Sequence, residues 1–276
     1  MPPPSPPHSD AAARPFWPRV LIVTAAVLVA RLVYLAWLCP YALVEDEAHY
    51  WEWSRRLDWS YYSKGPGIAL AIWLSDHLHA LLGRPGAPEL AIRLLTPLYS
   101  AVGALAVAGL TRDATRSASA ALLACVLWHL VPPFQAIALA TTIDGPYATC
   151  WALACWAAWR ALRARSGPAW VGLGLALGAG FAFKYTILLL VPGLLAFALL
   201  LRRERARPAG GLALARAWPA WALAGLLASG VGIGPVIYWN ALEGWPTVKH
   251  LLGHLGLQGG DMPVPTSPSG GRDWSP

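Results

Sequence analysis

The residues best suited to chemistry form an acidic cluster, Glu45-Asp46-Glu47, which follows the first apolar segment of the chain. If Asp46 caps a helix that continues to Ser54, then Asp46, His49 and Tyr50 share one face of it. Side chains three or four residues apart lie above one another on a helix. A carboxylate on such a face can act as a general base or bind a metal ion. Taken alone, however, the cluster is better explained as a solvated helix cap.

Three cationic side chains lie near the ends of apolar segments, where they could hold a phosphate group. Lys64 precedes the turn Gly65-Pro66-Gly67, at a predicted helix start whose free N–H groups favour an anion. Lys184 lies between two apolar runs, and Arg93 lies a few residues inside another. Such a cation must extend its side chain to the membrane surface, pair with a carboxylate or bind an anion. The sequence leaves these three alternatives open.

The remaining candidates lie at the ends of later apolar runs. Asp144, just before Gly145-Pro146, is as typical of a helix cap as of a functional carboxylate. Asn240 ends the last long apolar run. His250 and His254 are four residues apart on one helical face, but no third ligand is evident. We therefore expect no cofactor, and the sequence does not support a divalent metal site.

The composition is that of a membrane protein. Of the 276 residues, 57% are hydrophobic and 13% are charged, whereas about a quarter are charged in a soluble domain. The apolar residues form runs close to the ~20 residues that cross a bilayer, which argues against a soluble α/β protein. We predict an all-α, polytopic helical bundle with spans at about 20–38, 89–111, 117–133, 146–163, 169–183, 186–201 and 217–239.

The arginines set the predicted orientation. With a cytoplasmic N-terminus, twelve of the 21 basic residues but only three of the 14 acidic residues fall inside, while Arg31 lies within the first span. This distribution follows the positive-inside rule, so it explains the net charge of +7 without a nucleic-acid partner. We predict a multi-pass protein of the cell's inner or plasma membrane. Asp46, Lys64, Arg93, Asp144, Lys184 and Asn240 then converge on its outer face.

The outer segment at about 40–88 should hold two helices along the membrane surface. The second is expected to start after Gly65-Pro66-Gly67 and to bury five apolar residues: Ile68, Ile72, Leu74, Leu78 and Leu81. A Pro-rich segment, 1–15, is predicted to be disordered. The transmembrane domain is predicted at 16–255, and 256–276 is predicted to be a Pro/Gly/Ser-rich outer tail and a candidate truncation point.

Several short blocks resemble, in their order, the polyprenyl-phosphate-sugar-dependent glycosyltransferases. The similarity is to the dolichyl-phosphate-mannose protein mannosyltransferase-like superfamily, which includes bacterial aminoarabinose transferases. It covers about residues 20–255. The blocks are Asp-Glu-Ala-His-Tyr-Trp (46–51), Tyr-Tyr-Ser-Lys-Gly-Pro-Gly (61–67), Thr-Ile-Asp-Gly-Pro (142–146), Gly-Phe-Ala-Phe-Lys-Tyr-Thr (180–186) and Tyr-Trp-Asn (238–240).

This resemblance implies a GT-C architecture with juxtamembrane helices and an extracytoplasmic site. The implied donor is a polyprenyl-phosphate sugar, and the acceptor is an extracytoplasmic protein, lipid or glycan. Asp46 and Glu47 match the catalytic positions, and Lys64 and Lys184 match lysines that would bind the donor phosphate. Arg93, a candidate from its position alone, would bind the phosphate with them. Substrate-binding roles would fall to His49, Tyr50, Asp144 and Asn240. Ser63 replaces the acid of some members, so their metal role is not carried over.

Two other functions fit the same residues. A lipid-carrier or sugar-lipid transporter could bind phosphate without catalysis, but it should carry its substrate charges near mid-span. A catalytically inactive remnant that only binds the lipid is the other alternative. It is favoured by the comparison with family members, which continue through more spans than this sequence. Replacing Asp46 by Asn separates these alternatives, because an enzyme would lose sugar transfer while keeping lipid binding.

Overall fold

The computed structural model describes residues 16–205, 218–257 and 259–261 of this membrane protein, and within them all regular structure is helical. The long helices are α1 (Phe16–Val33, continued by a π-helical turn at Tyr34–Leu38), α5 (Thr96–Thr115), α6 (Ala118–Leu130), α8 (Asp144–Leu162), α9 (Pro168–Phe183), α10 (Leu190–Arg205) and α11 (Trp218–Leu242). The shorter helices are α2 (Glu45–Ser54), α3 (Gly67–Leu81), α4 (Leu90–Arg93), α7 (Pro132–Ala136) and α12 (Pro246–His254).

The predicted spans coincide with these long helices. Three helical segments are long and apolar enough to cross a bilayer, namely Phe16–Leu38, Leu90–Thr115 and Trp218–Leu242. Three shorter apolar helices cover Ala118–Leu130, Pro168–Phe183 and Tyr185–Leu201. The all-α membrane architecture expected from composition is therefore confirmed. The predicted disorder of residues 1–15 and most of the predicted tail, from residue 262 onward, lie outside the described residues.

Successive long helices run in opposite directions, so alternate connections share one end of the bundle. The site end, as we call it, carries α2, α3, α7, α12 and the turn between α9 and α10. The opposite end carries short arginine-containing connections, such as the one between α5 and α6. Every candidate residue of the sequence analysis therefore belongs to the site end.

Small residues allow α9 to pack closely on α11. A methyl group added at Gly178 would collide with the backbone of Ser229, and one added at Gly232 would collide with Gly178. Such close backbone approach is typical of membrane helices, where packing rather than the hydrophobic effect drives association. The contact fixes α9, whose last residue, Phe183, leads into Lys184 at the site end.

The helix α3 begins where the Gly-Pro-Gly turn predicted it, but its buried face differs from the prediction. Ile68 and Ile72 are buried, whereas Leu74 and Leu81 are exposed. The buried face continues through Ser75 and His79. Because a helix turns about 100° per residue, positions 74 and 81 lie on the side opposite Ile68 and Ile72. The expected burial of these two leucines is therefore wrong.

Candidate active site

Asp46 lies in the first turn of α2 and does not cap it. The cap position is Val44, and its backbone N–H donates to the Glu47 carboxylate at 3.0 Å. The predicted cap is therefore wrong, because the helix begins at Glu45, two residues earlier than a cap at Asp46 requires. Asp46 and His49 are exposed, and the His49 ring packs against Tyr50, with ring centroids 5.8 Å apart.

Glu47, the next residue, is fully buried and ion-paired with Arg93. Arg93 donates through Nε to Glu47 Oε1 at 2.8 Å and through Nη2 to Oε2 at 2.5 Å. The backbone N–H of Thr141 also donates to Oε1, at 2.8 Å. With the contact from Val44, each carboxylate oxygen therefore accepts two hydrogen bonds.

Arg93 has no N–H group left for a ligand. Its remaining donors contact the Tyr41 carbonyl at 3.0 Å, the Ala42 carbonyl at 2.9 Å and Cys39 Sγ at 3.6 Å. These contacts account for all five guanidinium N–H groups. The pair thus ties α2 to α4 and to the loop before α8. The structure thus places Glu47 and Arg93 in a buried ion pair, and the catalytic role expected for Glu47 and the phosphate-binding role expected for Arg93 stay predictions.

Asp144 and Lys184 form a second ion pair, with Nζ 2.8 Å from Oδ1. Both side chains are partly exposed, at 48% for Asp144 and 38% for Lys184. Asp144 is the first residue of α8, so it does not cap that helix as one interpretation required. Lys184 leaves the helical conformation at the end of α9, which turns its side chain toward α8.

The aromatic partner of this pair is Tyr147, which was not among the site residues predicted from the sequence. The Lys184 ammonium lies over the Tyr147 ring, 5.5 Å from its centroid, and the Thr186 hydroxyl donates to Tyr147 Oη at 3.1 Å. The spacing of Tyr147, three residues after Asp144, could have indicated it, because such residues share a helix face.

One apolar cluster brings these elements together. Tyr50 of α2, Ile68 of α3, Ile143 before α8 and Phe183 at the end of α9 belong to the same buried group. Burial, together with the nearby carboxylates of Asp46 and Asp144, raises the pKa of Tyr50 to about 12. The cluster thus packs α2, which carries Asp46, against the start of α8 and the end of α9, where Asp144 and Lys184 lie.

Lys64 reaches the same region through the Gly-Pro-Gly turn. Its carbonyl accepts from the Tyr61 N–H at 3.0 Å, which closes the 61–64 segment directly before that turn. A methyl group added at Gly65 would lie 2.5 Å from the carbonyl oxygen of Ala182, two residues before Lys184. On the other side, burial, His254 and Lys64 lower the pKa of His250.

Asn240 is buried, and both atoms of its amide make hydrogen bonds within the protein. Nδ2 donates to the Val236 carbonyl at 2.9 Å, and Oδ1 accepts from the Thr247 N–H at 3.1 Å. These contacts join the end of α11 to the start of α12. The structure gives the Asn240 amide a structural role at this junction, and its expected substrate-binding role stays a prediction.

Within the described residues, no three His, Cys, Asp or Glu side chains are grouped to hold a metal ion. His250 and His254 contact each other, with 3.1 Å between their Nε2 atoms. Asp261 Oδ2 lies 3.4 Å from His250 Nδ1, on the opposite side of the ring from Nε2. It therefore cannot join the two Nε2 atoms as a third ligand of one metal ion.

The site end thus offers an exposed carboxylate at Asp46 beside a lysine–carboxylate pair, with Lys64 on the neighbouring turn. A carboxylate in such a place can accept a proton, and ammonium groups can stabilise a leaving anion.

Comparison with known proteins gives two matches. The profile of the family described as dolichyl-phosphate-mannose-protein mannosyltransferase matches residues 63–239. The lipid A galacturonosyltransferase RgtD of Rhizobium johnstonii is 31% identical over 207 residues, which is 74% of this chain and 40% of that protein. The chain thus matches less than half the length of this relative. No solved structure matches the chain.

Proposed function

Because this chain belongs to the dolichyl-phosphate-mannose-protein mannosyltransferase family, we propose that it is a membrane glycosyltransferase. It takes a sugar from a polyprenyl-phosphate donor and transfers it to an extracytoplasmic acceptor. The contrast between two adjacent acids carries this proposal. Glu47 is buried and accepts four hydrogen bonds, whereas Asp46 is exposed and has no hydrogen-bond or ion-pair partner in the described part of the chain.

Asp46 is the general base of the proposed reaction. The acceptor hydroxyl attacks the anomeric carbon of the donor sugar, and its proton passes to the Asp46 carboxylate. A new bond forms between the acceptor oxygen and the anomeric carbon. The bond from that carbon to the phosphate oxygen breaks, and the polyprenyl phosphate leaves with the electron pair. His49, one turn further along α2, lies where it can contact the same substrate.

Lys184 and Lys64 stabilise the charge on the leaving phosphate. Lys184 has three N–H donors, and Asp144 takes one of them. The remaining donors can contact a phosphate oxygen without breaking the ion pair. Asp144 and Tyr147 hold the ammonium in place before the donor binds, and such preorganisation is how donors stabilise a developing charge. This arrangement supports a positioning role for Asp144.

A membrane-facing groove supports a lipid-linked donor. It has a volume of about 400 Å³, lies between α8 and α9, and is lined almost wholly by apolar side chains. Its end nearest the site end is at Cys150 and Ala179. At 1.5 Å per helical residue, these positions lie about 9 Å below Asp144 and about 8 Å below Lys184. A prenyl chain could therefore run down this groove from a phosphate held at Lys184.

The orientation of the protein forms part of the proposal. The arginine distribution supports a cytoplasmic N-terminus in the inner or plasma membrane. The site end then faces the periplasmic or extracellular side. A lipid-linked sugar phosphate suits this side as a donor.

Sugar transfer by matched variants tests the proposal. Membranes that contain the whole chain are given radiolabelled polyprenyl-phosphate sugars, and Asp46→Asn is compared with Glu45→Gln, a neutralised acid in the same helical turn. We expect transfer to be lost in Asp46→Asn and kept in Glu45→Gln, with donor binding unchanged in both. Equal transfer by Asp46→Asn and the wild type would refute Asp46 as the base. Donor binding by the wild type without transfer would favour the carrier-binding alternative.

A further inference from the structure

Arg31 is a second buried arginine, and the proposed reaction does not use it. It lies in the first membrane span, seven residues before the span ends at Leu38 and thus about 10 Å below the site end. Only 6% of its surface is exposed. A cation at this depth is costly unless an opposite charge or a full set of hydrogen bonds compensates it.

The contacts of Arg31 leave it much less compensated than Arg93. Its Nη1 donates to Ser100 Oγ at 2.9 Å, and its Nη2 donates to Gln135 Oε1 at 2.7 Å. Both acceptors are neutral, and among the described residues no carboxylate lies within ion-pair distance of Arg31. Nε has no hydrogen-bond partner there. Arg93, by contrast, has a carboxylate and uses all five donors.

His129 provides an independent second observation beside Arg31. Only 3% of its surface is exposed, and neither ring nitrogen has a hydrogen-bond partner within the described residues. Cys125, one turn before His129 on α6, lies 3.4 Å from Thr24, two turns before Arg31 on α1, so Arg31 and His129 lie on the facing sides of these two helices. Nearly all buried polar groups in proteins are hydrogen-bonded, and unmatched ones indicate a bound water or ion. Here Arg31 Nε and an imidazole N–H both lack an acceptor among the described residues.

We propose that Arg31 and His129 bind a small inorganic anion, of the size of chloride, inside the membrane domain. The anion accepts from Arg31 Nε and from the N–H of neutral His129, and its charge balances the guanidinium. Both side chains are enclosed by α1, α5, α6 and α7, which excludes a lipid headgroup. The anion thereby stabilises the link from α1 to Gln135, in the segment that leads to Thr141 and Asp144.

The test measures thermal unfolding of the purified whole chain in a neutral detergent, followed by tryptophan fluorescence. Sodium chloride is compared with sodium gluconate at equal ionic strength. A ligand that binds only the folded state stabilises it in a saturable way, so we expect chloride to raise the unfolding midpoint by about 5 °C. Bromide should replace chloride. An equal midpoint in both salts would overturn the proposal and indicate bound water instead.

Two variants and one control assign the effect to the site. Arg31→Met should lose the chloride dependence. His129→Phe should need about tenfold more chloride for the same rise of the unfolding midpoint. The control, Arg55→Met, removes an exposed arginine and should keep the full dependence. If Arg31→Met does not fold, the chloride-35 resonance is measured instead. The wild type should broaden it more than His129→Phe does, and equal broadening would refute the site. Dependence retained in His129→Phe and Arg31→Met alike would place any chloride elsewhere and refute the assignment.

Discussion

Replacing Glu47 by Gln is expected to destabilise the protein strongly, although the change removes only a charge. Oε1 accepts from Arg93 Nε and Thr141 N, while Oε2 accepts from Arg93 Nη2 and Val44 N. Whichever oxygen becomes an amide NH₂, that group faces two N–H donors. Two hydrogen bonds are then lost, and the buried Arg93 keeps its charge without a counterion.

The size of this effect follows from the burial of the pair, since neither side chain is more than 5% exposed. Hydrogen bonds to a charged group contribute about 1.5–3 kcal/mol each. Leaving one member of a buried ion pair alone costs about 3–5 kcal/mol. Two lost bonds give about 3–6 kcal/mol and the unpaired charge about 3–5 kcal/mol. Both routes therefore agree on a loss of about 3–5 kcal/mol in the free energy of unfolding for Glu47→Gln.

The assay is equilibrium unfolding of purified variants in detergent, with Asp46→Asn as the matched control. Asp46 is exposed and unpaired in the described structure, so we expect its variant to be as stable as the wild type. The double variant Glu47→Gln with Arg93→Gln should recover part of the loss, because no buried charge remains unpaired. A loss below about 1 kcal/mol for Glu47→Gln would refute the structural role assigned to this pair.

Three further predictions concern the site end. Lys184→Met should lower sugar transfer by about 100-fold but the free energy of unfolding by less than about 1 kcal/mol, because its ion pair is partly exposed. Parallel transfer and unfolding assays test this, and unchanged transfer would contradict the phosphate-binding role. Gly65→Ala should lower stability by about 1–3 kcal/mol, because its methyl group would meet the Ala182 carbonyl. Gly230→Ala is the control, since nothing described lies within 4 Å of its added methyl, and it should not lower stability, because alanine is favoured over glycine inside a helix. Tyr50, with its pKa raised to about 12, should contribute stability that is complete below about pH 10 and lost as the pH rises toward 12. Tyr50→Phe should lack this part of the decline in an alkaline unfolding series, and identical pH profiles would contradict it.

The sequence by itself determined the class of fold and the group of elements that forms the site. Apolar runs near the length of a bilayer can fold in few other ways, since every backbone polar group in lipid must be paired within a helix. The alternating direction of the spans then sends Asp46, Lys64, Asp144 and Lys184 to one end. For this reason their convergence could be predicted without any tertiary information.

Tertiary structure decided which of these residues are available for chemistry. Asp46 and Glu47 are adjacent acids with similar sequence surroundings, but a helix turns about 100° between them. Glu47 therefore points into the bundle at Arg93, 46 residues further along the chain, while Asp46 points outward. Asn240 shows the same limit, because its amide partner Thr247 lies on a helix whose position only packing sets.

The two buried arginines show most clearly what only the folded chain decides. From the sequence, Arg31 and Arg93 are both cations inside apolar spans. In the folded protein one has a carboxylate and five engaged donors, and the other has two neutral acceptors and an unpaired neighbour, His129. The compensation of a buried charge depends on groups that distant segments bring within about 3 Å, and local sequence does not contain that distance.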